Sequence, residues 1–369
     1  MKILYIEPFY SGSHKQWIDS YKNKSKHNIN ILGLKGIHWK WRMHGGAITL
    51  AKNFLSDKNN YDLIIVSDML NLPVFISLCY KKINKTKIVV YFHENQISYP
   101  KSINDEDLKY KRDLHYTFIN YSSSLVSNHN IYNSQYHLNN YLSGLKKYLK
   151  KMPDYKNHNT VDIIKEKSSV LYIGCNLKKD QKKMRKKNSI PIILWNHRWE
   201  HDKNPDDFFE VMYRLKKENF KFNLIILGEN FSNVPQCFEE ASQKLKNNII
   251  HMGYCENKND YKKLLLISDV LPVTSIQDFF GLSIIEAVSL GVFPLLPERL
   301  SYKEILDKKN NPEIFYKNKK MLYEKLLTYI NDYKVLRYST TKYEALVNKF
   351  DWSIMVKEYD AKFEKIYNY

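Results

Sequence analysis

Short apolar runs rich in β-branched residues recur along this chain at intervals too long for hairpins, and that spacing restricts the fold more than any other feature. The runs KILYI (2–6), INILGL (29–34), YDLIIVS (61–67), KIVVYF (87–92), SSLVS (123–127) and SVLYIG (169–174) alternate with longer mixed segments. Parallel strands buried on both faces read as continuous apolar runs and are joined by long, usually helical crossovers. The polar, basic stretch KKDQKKMRKKNS (178–189) then interrupts as a linker. The rhythm restarts with IPIILW (190–195), FNLIILG (222–228), NIIHMG (248–253), DVLPVT (269–274) and VFPLLP (292–297). The pattern predicts an α/β protein of two doubly wound, Rossmann-like domains, residues 1–177 and 190–345, facing a central cleft at the carboxyl ends of their strands. A last segment, 346–369, is helical in pattern, with Trp352 and Phe363 as docking residues, and is expected to return to the first domain.

At 369 residues and 43% hydrophobic content, the chain has enough apolar material for two cores, which excludes a mainly disordered protein. No apolar run reaches the length of a membrane span, and the opening MKILYIEPFYSG turns polar too early for a signal peptide. The expectation is a soluble, cytoplasmic protein without stable membrane insertion. Cys79, Cys175, Cys237 and Cys255 form no CxxC pair, so they read as reduced side chains rather than zinc or redox ligands. The net charge of +19 favours a polyanionic partner, and residues 145–187 alone carry 14 Lys/Arg against 4 Asp/Glu. Charge by itself fits equally well a chain that is Lys-rich throughout.

Three stretches carry chemistry. In NHRWEHDKNP (196–205), Arg198 and Lys203 stand between a strand and a helix that Asn204 caps and Pro205 opens; Phe208, Phe209, Val211, Met212 and Leu215 form its core face. Two cations beside a helix N-terminus suit an anion such as a diphosphate, against the alternative of a solvated loop. In TSIQDFFGLSIIEAVSLG (274–291), Asp278 lies in a loop, Gly281 opens a helix, Glu286 sits one to two turns in and Gly291 closes it. A carboxylate on an apolar helix face can accept from a ribose or sugar diol; a lone one reads as readily as a surface acid. In HWKWRMHGG (38–46), Trp39, Lys40, Trp41, Arg42 and His44 interleave flat rings with cations, as a single-stranded nucleotide site does and as a half-buried aromatic turn over the sheet also does. The stretch NDED (104–107) reads as a solvated face rather than a metal site, and no metal is expected.

Arg198 and Lys203 together with the Asp278-x7-Glu286 spacing around FFG resemble the donor site of retaining GT-B glycosyltransferases, whose pattern is a basic pair plus Glu-x7-Glu. Aspartate replaces the first glutamate here, which keeps the charge and shortens its reach. The ordered segments IEPFYSGSHKQW, HWKWRMHGGA, YFHENQISYP, WNHRWEHDKNPDDFF, LGENFSNVP, HMGY and DFFGLSIIEAV resemble the tRNA-queuosine α-mannosyltransferase family nearly end to end. The resemblance implies transfer of mannose, with retention, from GDP-mannose as donor co-substrate to queuosine at the wobble position of tRNA, with no metal required. It implies an N-terminal acceptor domain and a C-terminal nucleotide-sugar domain. Gly12 and Ser13 would allow backbone approach to the substrates, and His93 would face the reacting sugar. Glu94, Asn95 and the 39–44 cluster would serve the acceptor. Arg198 and Lys203 would neutralise the leaving diphosphate, Asp278 would address the mannose hydroxyls and Glu286 the ribose diol. Gly228, Glu229, Gly253, Tyr254 and Gly281 would line the nucleotide.

Two rivals differ in class. A transferase acting on a lipid or polysaccharide at a membrane surface would show an amphipathic helix with apolar residues off its core face, and no clear one is evident. A non-catalytic tRNA-binding protein would have no reason to keep Arg198, Lys203, Asp278 and Glu286 together.

Overall fold

The computed structural model describes residues 1–83, 85–99, 114–177, 188–229, 234–336 and 339–369. The stretch NDED and most of the basic linker therefore lie outside the described residues. The chain divides into one unit of Met1–Asn176 with Phe350–Tyr369 and a second of Leu177–Lys349.

The first unit holds a six-stranded parallel sheet: β1 (Lys2–Tyr10), β2 (Asn28–Lys35), β3 (Leu63–Ser67), β4 (Lys87–Phe92), β5 (His129–Tyr132) and β6 (Ser168–Val170), in the order β2-β1-β3-β4-β5-β6. Alternate strand residues face opposite layers. Leu4, Ile6, Ile64, Val66, Val90 and Phe92 pack into one core, and Ile3, Tyr5, Leu63, Ile65, Val89 and Tyr91 into the other. Helices α1 (Gly12–Lys24), α2 (Trp39–Ser56), α3 (Leu72–Ile83), α4 (His115–Val126), α5 (Gln135–Lys150) and α6 (Thr160–Glu166) make the crossovers.

The second unit repeats the plan with β7 (Ile192–Asn196), β8 (Asn223–Leu227), β9 (Ile249–Gly253), β10 (Val270–Pro272), β11 (Phe293–Pro297) and β12 (Phe315–Tyr316), in the order β12-β11-β10-β7-β8-β9. Its helices include α7 (Pro205–Lys217), α8 (Gln236–Lys244), α9 (Lys258–Ile267) and α10 (Leu282–Ser289). Each sheet reverses its winding once, at β1/β3 and at β7/β10. Loops from both directions meet at such a point, beyond the carboxyl ends of the strands.

One expectation needs correction, and one open alternative is removed. The run SSLVS is not a strand: Ser123 to Val126 close α4, and the strand is the following His129–Tyr132. Ser122 and Ser124 return their hydroxyls to the carbonyls of Phe118 and Tyr121 (both 2.8 Å), while Ser123 Oγ accepts from Leu72 N–H and donates to the Leu70 carbonyl (both 3.1 Å). The stretch HWKWRMHGG is not a turn; from Trp39 it is the opening of the 18-residue α2, preceded by His38 in the left-handed region at φ 52.

The C-terminal helix α11 (Trp352–Asn368) packs in the first unit. Trp352 is buried against Tyr21 at 6.0 Å between ring centroids, and Gly174 must lack a side chain because a Cβ there would lie 2.4 Å from the indole. Asp360 accepts from Tyr21 Oη (2.9 Å), Ser25 Oγ (2.6 Å) and Lys26 N–H (3.1 Å). Tyr359 Oη receives the Trp17 indole N–H at 2.9 Å. Among the described residues, no helix is long and apolar enough to cross a membrane.

Truncating Trp352→Ala empties an indole site in the first unit's core, so urea titration should show a loss of about 3–5 kcal/mol. A loss below about 1 kcal/mol would mean that the helix is not part of that core.

Candidate active site

In the first unit the site grows from Glu7, a fully buried carboxylate on β1. A charged carboxylate survives burial only when its lone pairs are met. Glu7 accepts from Tyr5 Oη, Phe9 N–H and Ser67 Oγ, each at 2.9 Å, and from His14 Nδ1 at 3.0 Å. Burial pushes its pKa up, but the His14 charge and these hydrogen bonds outweigh it and leave Glu7 below its ordinary value. Conversely, burial would lower His14, yet the Glu7 carboxylate, helped by Asp68 and Glu94, raises it to about 9.

His93, just beyond β4, stacks on His14 with centroids 4.2 Å apart and an interplanar angle of 28°. Burial and the charges of His14 and His137 hold it well below its usual value, so it is neutral beside an imidazolium. Its Nε2 lies 3.3 Å from Tyr5 Oη, its N–H donates to Asp68 Oδ1 at 2.8 Å, and its carbonyl accepts from Asn133 Nδ2 at 2.8 Å. Asp68 is fully buried and its pKa is raised, first by burial and then by Glu94 and Glu7 against the opposing His14.

Glu7, His14 and His93 offer ligand atoms within 4.8 Å of one another, a spacing that suits a metal ion. The four donors on Glu7 already fill its carboxylate, so the trio fits an ion pair with a stacked neutral imidazole better than a metal. Sequence reasoning missed Glu7, His14 and Asp68. The available signal was an acid inside the apolar run ILYIEPF.

The other residues singled out here have mixed placements. Gly12 takes φ 52 at the start of α1, where a Cβ would meet open space, with Ser13 following it. Glu94 Oε1 accepts from Gln96 Nε2 at 3.0 Å. Asn95 is fully buried and its Oδ1 accepts from Ile97 N–H (3.1 Å), Ser98 N–H (3.0 Å) and Ser98 Oγ (3.0 Å), so that oxygen builds the turn after His93.

In the second unit, Lys203 and Arg198 do not sit as two bare cations. Lys203 is buried in the 3-10 turn His201–Lys203, donating to the Gln277 carbonyl at 2.9 Å and pairing with Asp202 at 3.2 Å. Arg198 is half-exposed and pairs with Glu200 at 3.2 Å. Lys203 and Arg198 overcome burial and keep Asp202 below its ordinary pKa. Asn204 stands before Pro205 as expected, but at φ 51 its Nδ2 donates to Asp207 Oδ2 (2.7 Å) instead of its oxygen capping the helix. The predicted core face of α7 is buried throughout.

The two donor-type stretches are stitched together across some 70 residues. Thr274 Oγ1 donates to the Lys203 and Asn204 carbonyls (both 2.9 Å), and Ile276 N–H to the Asp202 carbonyl (2.8 Å). This brings Lys203 beside Gln277, one residue from Asp278. Asp278 accepts from Tyr302 Oη at 3.1 Å and Glu286 from Tyr261 Oη at 3.0 Å. Burial raises the pKa of Glu286 against that hydrogen bond and the charges of Lys262 and Lys258. Gly281 takes φ 92 ahead of α10.

The loop after β7 also meets those after β8 and β9. A Cβ on Gly228 would lie 1.9 Å from the His197 carbonyl, Trp199 N–H donates to the Glu229 carbonyl at 3.1 Å, and Gly228 N–H to the Gly253 carbonyl at 3.4 Å. Tyr254 is exposed. Tyr261 and Tyr302 escaped sequence reasoning because each acts through a partner distant in the chain; Asp202 escaped it although its partner, Lys203, is the next residue.

Comparison with known proteins gives the family and the fold. Residues 2–175 match the family described as tRNA-queuosine alpha-mannosyltransferase N-terminal, and residues 177–345 match glycosyl transferases group 1. The chain is 31% identical over 376 residues to the tRNA-queuosine alpha-mannosyltransferase of Drosophila melanogaster, covering 99% of this chain and 96% of that one. Among solved structures, it is similar to a glycosyltransferase from Rickettsia africae (18% identity, TM-score 0.66, 99% and 98% covered) and a sucrose-phosphate synthase from Thermosynechococcus elongatus (12% identity, TM-score 0.73, both chains covered in full). These likenesses show the fold, two Rossmann-like halves of the GT-B type. The chain belongs to the tRNA-queuosine alpha-mannosyltransferase family and is a glycosyltransferase.

The Glu7–His14 pair makes a pH prediction. The folded pKa of His14, about 9, lies above its ordinary value of 6.5, so its stabilisation is complete below pH 6.5 and lost as pH rises through 9. In Glu7→Gln only the smaller contributions of Asp68 and Glu94 oppose burial, so the ring should titrate below its usual value in an NMR titration of the histidine ring protons. A His14 still titrating near 9 in that variant would locate the source of its charge elsewhere.

Proposed function

We propose that this member of the tRNA-queuosine alpha-mannosyltransferase family transfers mannose from GDP-mannose, with retention, to queuosine at the wobble position of tRNA. The observation that carries the donor half is the stitching of the Lys203 turn to the 274–278 loop, which joins a buried cation and a carboxylate at the winding reversal of one sheet. The acceptor half is supported by the family match over residues 2–175.

In this reading Arg198 and Lys203 stabilise the charge that develops on the leaving diphosphate, where fixed cations contribute most. They need no metal to do so. Glu286, oriented by Tyr261, accepts from the ribose diol, and Asp278, oriented by Tyr302, addresses the sugar hydroxyls. Gly228, Glu229, Gly253, Tyr254 and Gly281 line the nucleotide with backbone that approaches closely. His93 contributes a neutral imidazole at the reacting sugar, with Gly12 and Ser13 at the start of α1 allowing backbone approach to the substrates. Trp39, Lys40, Trp41, Arg42, His44, Glu94 and Asn95 serve the tRNA. The enzyme works in the cytoplasm, where its substrate tRNA resides.

Mass spectrometry of nucleosides from queuosine-containing tRNA, incubated with the protein and GDP-mannose or, separately, UDP-sugars, tests this directly. One hexose added to queuosine only with GDP-mannose is the expected result; addition from a UDP-sugar alone overturns the donor. Lys203→Ala should lower kcat by about 10²–10³-fold, and Glu286→Ala should raise KM for the donor. Undiminished turnover in both refutes the donor site. Binding of tRNA should weaken about ten-fold or more between low and physiological salt, as counterion release requires; salt-insensitive binding refutes a role for the basic surface.

A further inference from the structure

Resting on that reading of an RNA acceptor, we infer that Trp41 is a preformed stacking platform for an unpaired nucleobase, seated against Gly45. The two tryptophans at the start of α2 differ in what they touch. Trp39 is turned to Tyr116, with ring centroids 5.3 Å apart. Trp41 is 59% exposed, and its nearest recorded ring neighbour is His44 at 6.1 Å.

The reason for its posture is one helical turn away. A Cβ on Gly45 would lie 2.9 Å from two atoms of the Trp41 six-membered ring, closer than packed side chains approach. The six-membered ring of the indole therefore sits against Gly45, which is itself buried, while Trp41 keeps 59% of its surface exposed. A glycine inside an 18-residue helix is unfavourable in itself, and here the ring that covers it gives the reason for it. A platform fixed in advance loses little side-chain entropy when a base settles on it.

The surroundings select the occupant. Lys35, Lys40 and Arg42 flank the ring in the sequence, where no aspartate or glutamate occurs between Asp19 and Asp57, and the Lys40 ammonium lies 5.7 Å from the centroid of the neighbouring Trp39 ring. Arg42 is anchored through Nε to the Lys35 carbonyl at 3.0 Å, and His44 and His115 bring their ring nitrogens to 2.5 Å. An exposed aromatic ring in a stretch of chain that carries cations and no acids suits a base with its phosphates.

The test measures affinity at fixed salt for a queuosine-containing anticodon stem–loop and for the same stem fully paired. Trp41→Ala, and Gly45→Ala, whose new methyl displaces the ring while suiting the helix, should each weaken stem–loop binding by about 5- to 100-fold, the range for one base–aromatic stack. Trp41→Phe should retain most of it, and the paired stem should respond to none of the three. Affinities within two-fold of the unaltered protein for Trp41→Ala and Gly45→Ala overturn the platform, as does equal weakening on the paired stem. Trp41-dependent binding to phosphatidylglycerol vesicles, with stem–loop affinity unchanged, overturns it in favour of a membrane. Because binding is read without turnover, failure of mannose transfer would refute the proposed reaction and leave this inference standing.

Discussion

A carboxylate placed inside an apolar strand must have all its lone pairs met or lose its charge, and Glu7 shows how much that requirement organises. Its four donors come from β1 itself, from β3 and from α1, so the ladder register of β1 on β3 and the seating of α1 are tied to one side chain. The pairing then decides protonation in the neighbouring rings. His14 takes the positive charge, and His93, stacked on it and bonded through its backbone to Asp68, is left neutral. Two histidines 4.2 Å apart thus carry opposite assignments because only one of them touches Glu7.

The second unit solves a different problem by similar means. A buried lysine needs oxygen ligands, and Lys203 finds them in the carbonyl of Gln277 and the carboxylate of Asp202. Thr274 closes the same joint from the other side through the carbonyls of Lys203 and Asn204. The loops beyond β7 and β10 are thereby bonded to each other, and the loop beyond β8 joins where Gly228 comes under the His197 carbonyl. Tyrosines complete the arrangement by orienting the two acids, Tyr302 on Asp278 and Tyr261 on Glu286. Fixed dipoles of this sort favour a developing charge because they need not reorganise when it appears.

Much of this architecture was legible in the chain. The repeated apolar runs announced two parallel sheets, Pro205 and Gly281 marked helix starts, and the spacing of Arg198, Lys203, Asp278 and Glu286 resembled a glycosyltransferase donor site. The failures are instructive for their causes. Ser123 to Val126 looked like a strand because β-branched and small residues also suit a helix whose hydroxyls can return to its own carbonyls. The true strand hid behind Asn130, a polar residue tolerable in a core only because Ser127 and the Ser124 carbonyl satisfy it. The aromatic stretch at 38–46 read equally as a nucleotide site or as a turn over the sheet; it is helical from Trp39, and within it Gly45 serves the ring of Trp41 and Gly46 the approach of Pro8.

What the sequence determined by itself is what depends on neighbours in the chain: element periodicity, helix starts, the order of the sheets' building blocks and the family motifs. Only the tertiary structure decided which charged group is met by which partner. Tyr5 reaches His93 across 88 residues, Lys203 reaches Gln277 across 74, and Trp17 reaches Tyr359 across 342. Those separations are closed by sheet order and by the returning C-terminal helix. Protonation and donor geometry follow from them, because the energy of a buried polar group depends on what stands within hydrogen-bonding distance and not on its place in the chain.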